Sequence, residues 1–196
     1  QYSSKERKRY LEIAIKHCQR LNKLVSDLLE LAKLESAEMQ IRPEAFNVME
    51  LAQDVSQKFM LSAQEKKIRL TTQFEESLPF VLADIALVER ALENLIENAL
   101  HYTPEKGRVL IHISLLEDVV VTISDTGPGI PENELDHIFK RFYHSDKGRK
   151  DREGHSGLGL AITQKIIELH QRKISVTTDP GKGTCFSFSL PVDSSI

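Results

Sequence analysis

Residues 94–98 read Asn-Leu-Ile-Glu-Asn and decide the fold that the rest of the chain builds around. They lie in a helical pattern that Asp84 can cap and whose spacing buries one side. That side is formed by Leu87, Val88, Ala91, Leu92, Leu95, Ile96 and Ala99. Because residues four apart share a helix face, Asn94 and Asn98 point the same way and Tyr102 lies one turn further along. The pattern predicts a buried helix with one polar face.

Two glycine-bearing segments follow this helix, residues 125–129 (Asp-Thr-Gly-Pro-Gly) and residues 154–159 (Gly-His-Ser-Gly-Leu-Gly). Asp125 follows an apolar strand, where a carboxylate is costly to bury without donors, and the glycines after it permit close backbone approach and positive φ. Gly157 and Gly159 lie where a loop becomes a helix, so unpaired backbone amides and the positive helix end face an anion. With the two amide oxygens, these are the parts needed to hold a magnesium nucleotide.

Composition narrows the class of protein. With 40% apolar and 28% charged residues, the 196-residue chain has the make-up of a soluble globular protein. Its formal net charge of −3 gives no support to nucleic-acid binding, and no stretch approaches the ~18 to 20 apolar residues of a membrane helix. Cys18 and Cys185 lack metal-ligand spacing and are expected to be buried small hydrophobes. Because the chain opens at Gln1 without Met, we expect a piece of a longer protein.

The first forty residues carry another long helical pattern. Apolar positions recur there at three- and four-residue steps, which indicates the seam of a coiled coil or bundle. The seam and the stripe beside it consist of Ile13, Ala14, His17, Leu21, Leu24, Leu28, Leu31, Leu11, Ile15, Cys18, Val25 and Leu29. So wide an apolar face needs more than one partner helix, and we expect a partner chain or a missing neighbouring helix to cover it. Pro43 marks a break, so that domains of residues 1–40 and 41–196 are predicted.

Beyond Pro43, helical and strand patterns mix without strict alternation. Helices are predicted over residues 48–63 and 157–170 in addition to the central one. Strands are predicted over residues 68–74, 109–115, 119–124, 174–178 and 184–190. This order indicates an α+β fold in which helices cover one face of a mostly antiparallel sheet.

The three polar and glycine segments resemble the N, G1 and G2 boxes of the sensor histidine kinases of two-component signalling. The family's F box is also present as residues 138–143 (Ile-Phe-Lys-Arg-Phe-Tyr), and residues 181–184 (Gly-Lys-Gly-Thr) match its last motif. Five motifs in the family's order and spacing span residues 84–191, whereas a lone glycine motif would be weak. Residues 19–35 look like the second helix of the family's dimerization domain. The resemblance implies a Bergerat-type ATP-binding fold, a two-layer α/β sandwich with a mixed sheet, preceded by a long bundle helix.

The same resemblance implies roles for individual residues. Asn98 would bind Mg²⁺, Asp125 would contact the adenine amine, and the phosphates would lie at Gly157 and Gly159. Three further residues of the central helix would approach the phosphates or the ribose: Asn94, His101 and Tyr102. The full set expected to contact ATP is Asn94, Asn98, His101, Tyr102, Asp125, Gly127, Gly129, Ile130, Lys147, Arg149, His155, Ser156, Gly157, Leu158, Gly159, Leu160 and Thr184.

Three residues of this set have an ordinary alternative. His155 stands where many family members carry a second glycine, and it is either a contact to the terminal phosphate or a tolerated side chain. Lys147 and Arg149 belong to a charged loop, which either orders on a triphosphate or is a solvated run of charge.

Histidine kinases transfer the γ-phosphoryl group of ATP to a histidine that is followed by an acidic residue and Arg-Thr-Pro. That motif is absent from the 196 residues. His17 lies on the bundle helix, but Cys-Gln-Arg follows it, without the adjacent carboxylate needed as a general base. We therefore expect His17 to be an ordinary seam or surface residue. The chain is predicted to hold no catalytic residue, to lack the first dimerization helix and to be unable to phosphorylate itself.

For the parent protein, the resemblance implies a homodimeric protein histidine kinase. It would use Mg-ATP and pass the phosphoryl group to an aspartate of a response regulator receiver domain. It would also be membrane-anchored, with this chain as part of its cytoplasmic portion.

Two rival functions share the superfold. An ATP-hydrolysing conformational machine, such as gyrase, has a water-activating Glu where Asn94 stands here, and Glu93 and Glu97 are expected to point elsewhere on the helix. A regulator that binds a protein partner, like the anti-sigma kinases, would lack the Leu-rich helix of residues 21–34. Both rivals are therefore disfavoured.

Overall fold

A computed structural model describes residues 3–143 and 156–193. Its helices are α1 (Ser4–Glu35), α2 (Val48–Glu65), α3 (Ile85–Tyr102) and α4 (Gly159–Leu169), with a 3₁₀ helix at Glu132–His137. Its strands are β1 (Glu44–Phe46), β2 (Arg69–Phe74), β3 (Val81–Ala83), β4 (Arg108–Leu115), β5 (Val119–Asp125), β6 (Ile174–Asp179) and β7 (Gly183–Leu190). In this part of the chain no helix is both long and apolar enough to cross a membrane.

The five longer strands form one sheet in the order β2-β4-β5-β7-β6. β2 and β4 run parallel, and the other neighbouring pairs are antiparallel. β1 and β3 form a separate antiparallel pair, which a bridge between Val81 and Val192 joins to the end of β7. The predicted mixed and mostly antiparallel sheet is confirmed.

Helices α2, α3 and α4 cover one face of this sheet. α3 lies between α2 and α4 and packs on β4 and β5. Along both strands, buried residues alternate with half-buried ones, and the buried set is Val109, Ile111, Ile113, Val119, Val121 and Ile123. Because a period of two buries one face of a strand, the core lies between the helices and a single face of the sheet. This is the predicted two-layer arrangement.

The start of α3 is fixed by side chains from two directions. Asp84 caps the helix as predicted, accepting from the Leu87 N–H at 3.2 Å. Its own backbone N–H donates to Nε2 of His170 at 3.0 Å, while Nδ1 of that ring lies 2.8 Å from the carbonyl oxygen of Ile166. A ring that accepts at one nitrogen and donates at the other is neutral. His170 therefore connects the end of α4 to the start of α3.

α1 is exposed over its first half and packed at its end. Its side chains from Lys5 to Gln19 are exposed, and Cys18 among them is exposed rather than buried. Its last turns pack on α4, where Leu31 and Leu34 are only 2% and 3% exposed. The end of the apolar seam is thus covered by α4, whereas the upstream positions Leu21, Val25 and Leu28 are exposed, so that cover for the rest of the face by a partner chain or another helix stays a prediction.

Three short elements escaped the sequence analysis: β1, β3 and the 3₁₀ helix. A three-residue strand is too short to show alternation, so its pairing with a distant segment decides its conformation. Helix α4 begins at Gly159, two residues beyond the predicted start, so that Ser156 and Gly157 remain in the preceding turn.

Candidate functional site

A cavity with a volume of about 400 Å³ lies beside the polar face of α3. The end of β5 and its following turn, the 3₁₀ helix, the start of α4 and the turn between β6 and β7 form its other walls, together with one face of α1. Most of the lining therefore comes from the ends of strands and helices and from the turns beside them, while α3 contributes several residues along its length.

The wall formed by α3 presents amides and aromatic rings. Asn94 is only 5% exposed, and within the described residues its Nδ2 has no hydrogen-bond partner. Gly159 lies against this side chain, since a Cβ built on it would be 3.6 Å from the Asn94 Oδ1. His101 and Tyr102 stand edge to face further along, with ring centroids 4.7 Å apart. The wall therefore leaves a buried donor free for a ligand.

Asp125 ends β5 at the opposite side of the cavity. Its Oδ1 accepts from the Gly127 N–H at 2.7 Å. Burial raises the pKa of this carboxyl group above the usual aspartate range, and hydrogen bonds from the backbone of Gly127 and Thr184 partly oppose the rise. A buried carboxylate of this kind gains from a ligand that brings a further donor.

The turn after β5 is held by the turn that joins β6 to β7. Gly129 has a φ of +70°, and a Cβ there would lie 2.6 Å from the carbonyl oxygen of Asp179. The Gly181 N–H donates to the carbonyl oxygen of Pro128 at 2.7 Å, and the Ile130 N–H donates to the Thr178 hydroxyl at 2.9 Å. Glycine is therefore required at this close approach, which fixes the floor of the cavity.

Glu134 and Tyr102 form a second polar pair in the cavity wall. Burial and the negative charge of Glu134 both raise the pKa of the Tyr102 phenol. Oε2 of Glu134 is buried and has no hydrogen-bond partner in the described part of the chain. This acidic group was not predicted from the sequence.

The start of α4 forms the part of the cavity where an anion would be favoured. Gly157 has a φ of +71°, and Leu158 precedes the helix without a side-chain cap from the described residues. The Leu158 N–H donates to the Ser156 hydroxyl at 3.2 Å, while the Leu158 side chain is fully buried in the core. The remaining N–H groups of the first turn are available to a ligand.

The last wall comes from α1, which the sequence analysis had assigned to a separate domain. Lys23 and Asp27 both line the cavity. Lys23 forms an ion pair with Glu97 of α3, and Asp27 accepts from the Ser156 hydroxyl at 2.6 Å. Glu97 itself lines the cavity, so the expectation that it points elsewhere was wrong.

Most of the predicted nucleotide-contacting residues meet in this cavity. The lining includes Asn94, Asn98, His101, Tyr102, Asp125, Gly129, Ile130, Ser156, Gly157, Gly159, Leu160 and Thr184. Gly127 and Leu158 are not in the lining. The Gly127 N–H donates to Asp125, and the Leu158 side chain is buried in the core. Lys147, Arg149 and His155 lie outside the described residues.

The lining also contains residues that the sequence analysis missed. They are Lys23, Asp27, Glu97, Pro128, Pro131, Glu134, Ile138, Tyr143, Pro180 and Phe186. One signal was available: Glu97 is three residues from Asn94, and such residues are neighbours on a helix surface. For Lys23 and Asp27 no local pattern could help, because their place depends on how α1 docks.

Two family models match this chain. The model for the histidine kinase-, DNA gyrase B- and HSP90-like ATPases matches residues 83–194. The model for the His Kinase A (phospho-acceptor) domain matches residues 2–37. With the two-layer fold and its cavity, these matches define a Bergerat-type ATPase domain that follows a long helix.

The chain belongs to the family of histidine kinase-, DNA gyrase B- and HSP90-like ATPases. The adaptive-response sensory kinase SasA of Thermosynechococcus vestitus is 38% identical over 89% of this chain and 46% of that protein. The sensor histidine kinase WalK of Bacillus subtilis is 32% identical over 93% of this chain and 30% of that protein. The chain thus spans less than half the length of these curated relatives.

Solved histidine kinase structures are similar over nearly the whole chain. Full-length ShkA in complex with AMPPNP gives a TM-score of 0.84 at 27% identity, covering 98% of this chain and 40% of that one. Histidine kinase ThkA in complex with the response regulator protein TrrA gives a TM-score of 0.79 at 27% identity, covering 98% of this chain and 53% of that one.

Proposed function

We propose that this chain is the ATP-binding catalytic region of a sensor histidine kinase. It binds Mg-ATP and donates the γ-phosphoryl group to a histidine of the dimerization domain, for onward transfer to an aspartate of a response regulator receiver domain. The observation that carries the proposal is the cavity in which Asn94, Asn98 and Asp125 meet the glycines at the start of α4. The sensor-kinase names of the relatives support it, as do the neighbours solved with AMPPNP and with a response regulator.

The unused hydrogen-bonding groups of the cavity fit a nucleotide. A buried donor without a partner costs about 1–3 kcal/mol, and a phosphate oxygen would satisfy Nδ2 of Asn94. The first N–H groups of α4 suit the other phosphate oxygens. Asp125, at the opposite side, suits the adenine amine, and His101 and Tyr102 lie where the phosphates or the ribose would approach.

Asn98 is the residue that would hold Mg²⁺. Its amide oxygen is a hard ligand, and Mg²⁺ commonly completes its octahedral shell with waters and substrate phosphates. The ion would neutralise negative charge on the β- and γ-phosphates. Asn98 therefore both places the ion and orients the phosphate chain through it.

Removing the amide at this position should weaken the magnesium-dependent part of nucleotide binding. Asn98→Ala is expected to lower the affinity for Mg-ADP by roughly tenfold or more. The variant loses the contact between the amide oxygen and the charged Mg²⁺, and polar contacts to charged groups contribute about 1.5–3 kcal/mol. Asn98→Asp keeps an oxygen ligand and serves as the matched control. Calorimetric titration with Mg²⁺ and with EDTA checks this, and the role of Asn98 is wrong if Asn98→Ala retains the full difference between the two conditions.

Phosphoryl transfer further requires an acceptor imidazole in line with the γ-phosphate and a base beside it. None of the seven histidines in the sequence is followed by an acidic residue and Arg-Thr-Pro. His17 is an exposed residue in the part of α1 that projects from the second domain. The acceptor would thus come from a dimerization helix that these residues do not contain.

Incubation with radiolabelled ATP should therefore leave this chain unlabelled. Added to a separate dimerization domain that retains its acceptor helix, the chain should phosphorylate that helix in trans. Acid-labile label on the chain alone, lost in His17→Gln, would identify His17 as an acceptor and contradict the prediction.

An ATP-hydrolysing machine is the second candidate function, and one observation favours it. Glu97 lines the cavity, where a carboxylate could activate water. Its Oε1 is engaged by Lys23, however, and Asn94 replaces the usual water-activating Glu. Phosphate release in the same incubation distinguishes the two functions, since steady hydrolysis that disappears in Glu97→Gln would favour the hydrolase.

The proposal extends to the parent protein. Residues 1–40 would belong to its dimerization domain and residues 41–196 to its catalytic domain. The exposed apolar face of α1, with Leu21, Val25, Leu28 and Leu29, supports a homodimeric bundle. The region would lie on the cytoplasmic side of a membrane-anchored sensor.

A further inference from the structure

One buried carboxylate has no part in the function proposed so far. The side chain of Asp27 on α1 is only 4% exposed, and a buried charge is costly unless it is paired and hydrogen-bonded. Its Oδ1 accepts from Nη2 of Arg90 at 2.7 Å, and its Oδ2 accepts from the Ser156 hydroxyl at 2.6 Å. Asp27 therefore joins α1 to α3 and, at the same time, to the turn that opens α4.

Arg90 anchors this contact from α3. Its Nε lies 2.9 and 3.1 Å from the two carboxylate oxygens of Glu30, one turn further along α1. Glu30 and Asp27 thus share one guanidinium group, but only Asp27 reaches Ser156. Substituting each carboxylate in turn therefore separates the docking of α1 on Arg90, to which both contribute, from the contact with Ser156, which only Asp27 makes.

Ser156 is the point where the contact reaches the nucleotide site. A hydroxyl group has one donor and two acceptor lone pairs. The donor is committed to Asp27, which turns a lone pair of the same oxygen toward the Leu158 N–H, 3.2 Å away. The next residue, Gly159, begins α4 against Asn94. The position of Asp27 is thereby transmitted to the backbone that faces the phosphates.

We propose that Asp27 is a positioning residue for the nucleotide, holding the phosphate-binding turn at Ser156 from the dimerization helix. This inference rests on the proposed function. Linked equilibria are reciprocal. If docking of α1 raises the nucleotide affinity by some factor, bound nucleotide raises the equilibrium constant for α1 docking by the same factor. A movement of α1 that withdraws Asp27 would release Ser156 and weaken nucleotide binding. The nucleotide site and the dimerization helix are then coupled through one carboxylate.

The test compares Asp27→Ala with Glu30→Ala in the whole 196-residue chain. Both variants remove an acceptor from Arg90, and only the first removes the acceptor from Ser156. Titration calorimetry with Mg-ADP and Mg-AMPPNP should show about a tenfold loss of affinity for Asp27→Ala, within the ~5- to 150-fold range of coupled sites. Glu30→Ala should bind as the parent does.

A double-mutant cycle adds a readout that loosened packing would not produce. If Asp27 acts through Ser156, then Ser156→Ala should weaken binding to a similar degree, and the double variant should lose little more. Mg-AMPPNP should also slow amide exchange over residues 27–35 in the parent and in Glu30→Ala. That protection should disappear in Asp27→Ala.

Unchanged affinity in Asp27→Ala, or equal losses in Asp27→Ala and Glu30→Ala, would overturn the positioning role. If Asp27→Ala proves unfolded at the temperature of the titration, Asp27→Asn replaces it. Arg90 and Ser156 contact different carboxylate oxygens, so an amide that keeps its oxygen on Arg90 presents its NH₂ group to Ser156. The Ser156 hydroxyl then loses its acceptor, and a loss of affinity is expected. If the parent chain binds neither nucleotide, both the proposed function and this inference are refuted. If the parent chain and Asp27→Ala bind nucleotide with equal affinity, only the inference is refuted.

Discussion

Replacing Gly183 by alanine is expected to lower the free energy of unfolding by about 3–5 kcal/mol, because strained backbone and overpacking add. Gly183 begins β7 with a φ of +128°, and a Cβ there would lie 1.9 Å from the carbonyl oxygen of Asp125 and 3.1 Å from the Cα of Thr126. Both contacts are with backbone, so no change of rotamer can relieve them. The pairing of β5 with β7 must open, and Asp125 must move with it.

Gly181 provides the matched control in the same turn. Its φ is +86°, and among the described residues nothing lies within 4 Å of a Cβ built there. Gly181→Ala should therefore cost only the backbone strain, about 1–2 kcal/mol. Thermal unfolding followed by circular dichroism should show a fall in Tm of roughly 6–20 °C for Gly183→Ala, at ~2–4 °C per kcal/mol. Equally small shifts in both variants would mean that β5 and β7 do not approach this closely.

Asp125→Asn is expected to weaken adenine nucleotides by roughly 10- to 150-fold, the value of about 1.5–3 kcal/mol for a hydrogen bond to a charged group. The Gly127 N–H needs an oxygen at Oδ1, so the new amide nitrogen takes the place of Oδ2. It then meets the adenine amine as donor against donor. A base with a carbonyl group in place of the amine, as in GDP, should be affected far less.

The pH dependence of binding gives an independent check on Asp125. Burial raises its pKa, so protonation on acidification begins above the usual aspartate range. Because the Gly127 N–H holds Oδ1, the proton turns Oδ2 from an acceptor into a donor. The affinity of the parent for ADP should fall over that range, whereas that of Asp125→Asn should stay flat. Identical profiles would show that Asp125 does not contact the base.

Stability should respond to the same substitution in the opposite sense. A carboxyl group with a raised pKa in the folded state adds stability that is complete below its unfolded pKa and lost as pH rises through the folded one. At neutral pH the parent therefore carries a buried charge that Asp125→Asn lacks. The variant should melt no lower than the parent, which separates loss of binding from loss of fold.

The part of the site that could be predicted from sequence is the part built by short-range geometry. Asn94 and Asn98 share a face by helix periodicity alone, and Gly129 is required where two turns touch. Lys23 and Asp27 could not be predicted in the same way, since Asp27 meets Ser156 across 129 positions of sequence. The apolar stripe of α1 looks the same whether a bundle helix or α4 covers its end.

The fold shows the same division. The longer strands and α3 were predicted because their periodicity extends over several residues, whereas β1 and β3 exist only through their pairing with each other. The parallel pairing of β2 with β4 is likewise a long-range choice. His170 has no sequence context that marks it, yet it accepts from the N–H of Asp84 and so takes part in the start of α3.

The two faces of α1 give this helix a fixed phase. One face carries the buried Leu31 and Asp27, which pairs with Arg90 of α3, and another leaves Leu21 and Leu28 exposed. Each residue turns an α-helix by about 100°. One residue inserted between Ala14 and Leu21 would therefore rotate the apolar stripe before the insertion by about 100° relative to the face that carries Asp27. An inserted heptad would leave that alignment within ~20°. The length of α1 can therefore change only in near-whole turns, and any segment joined to its start must keep the same phase.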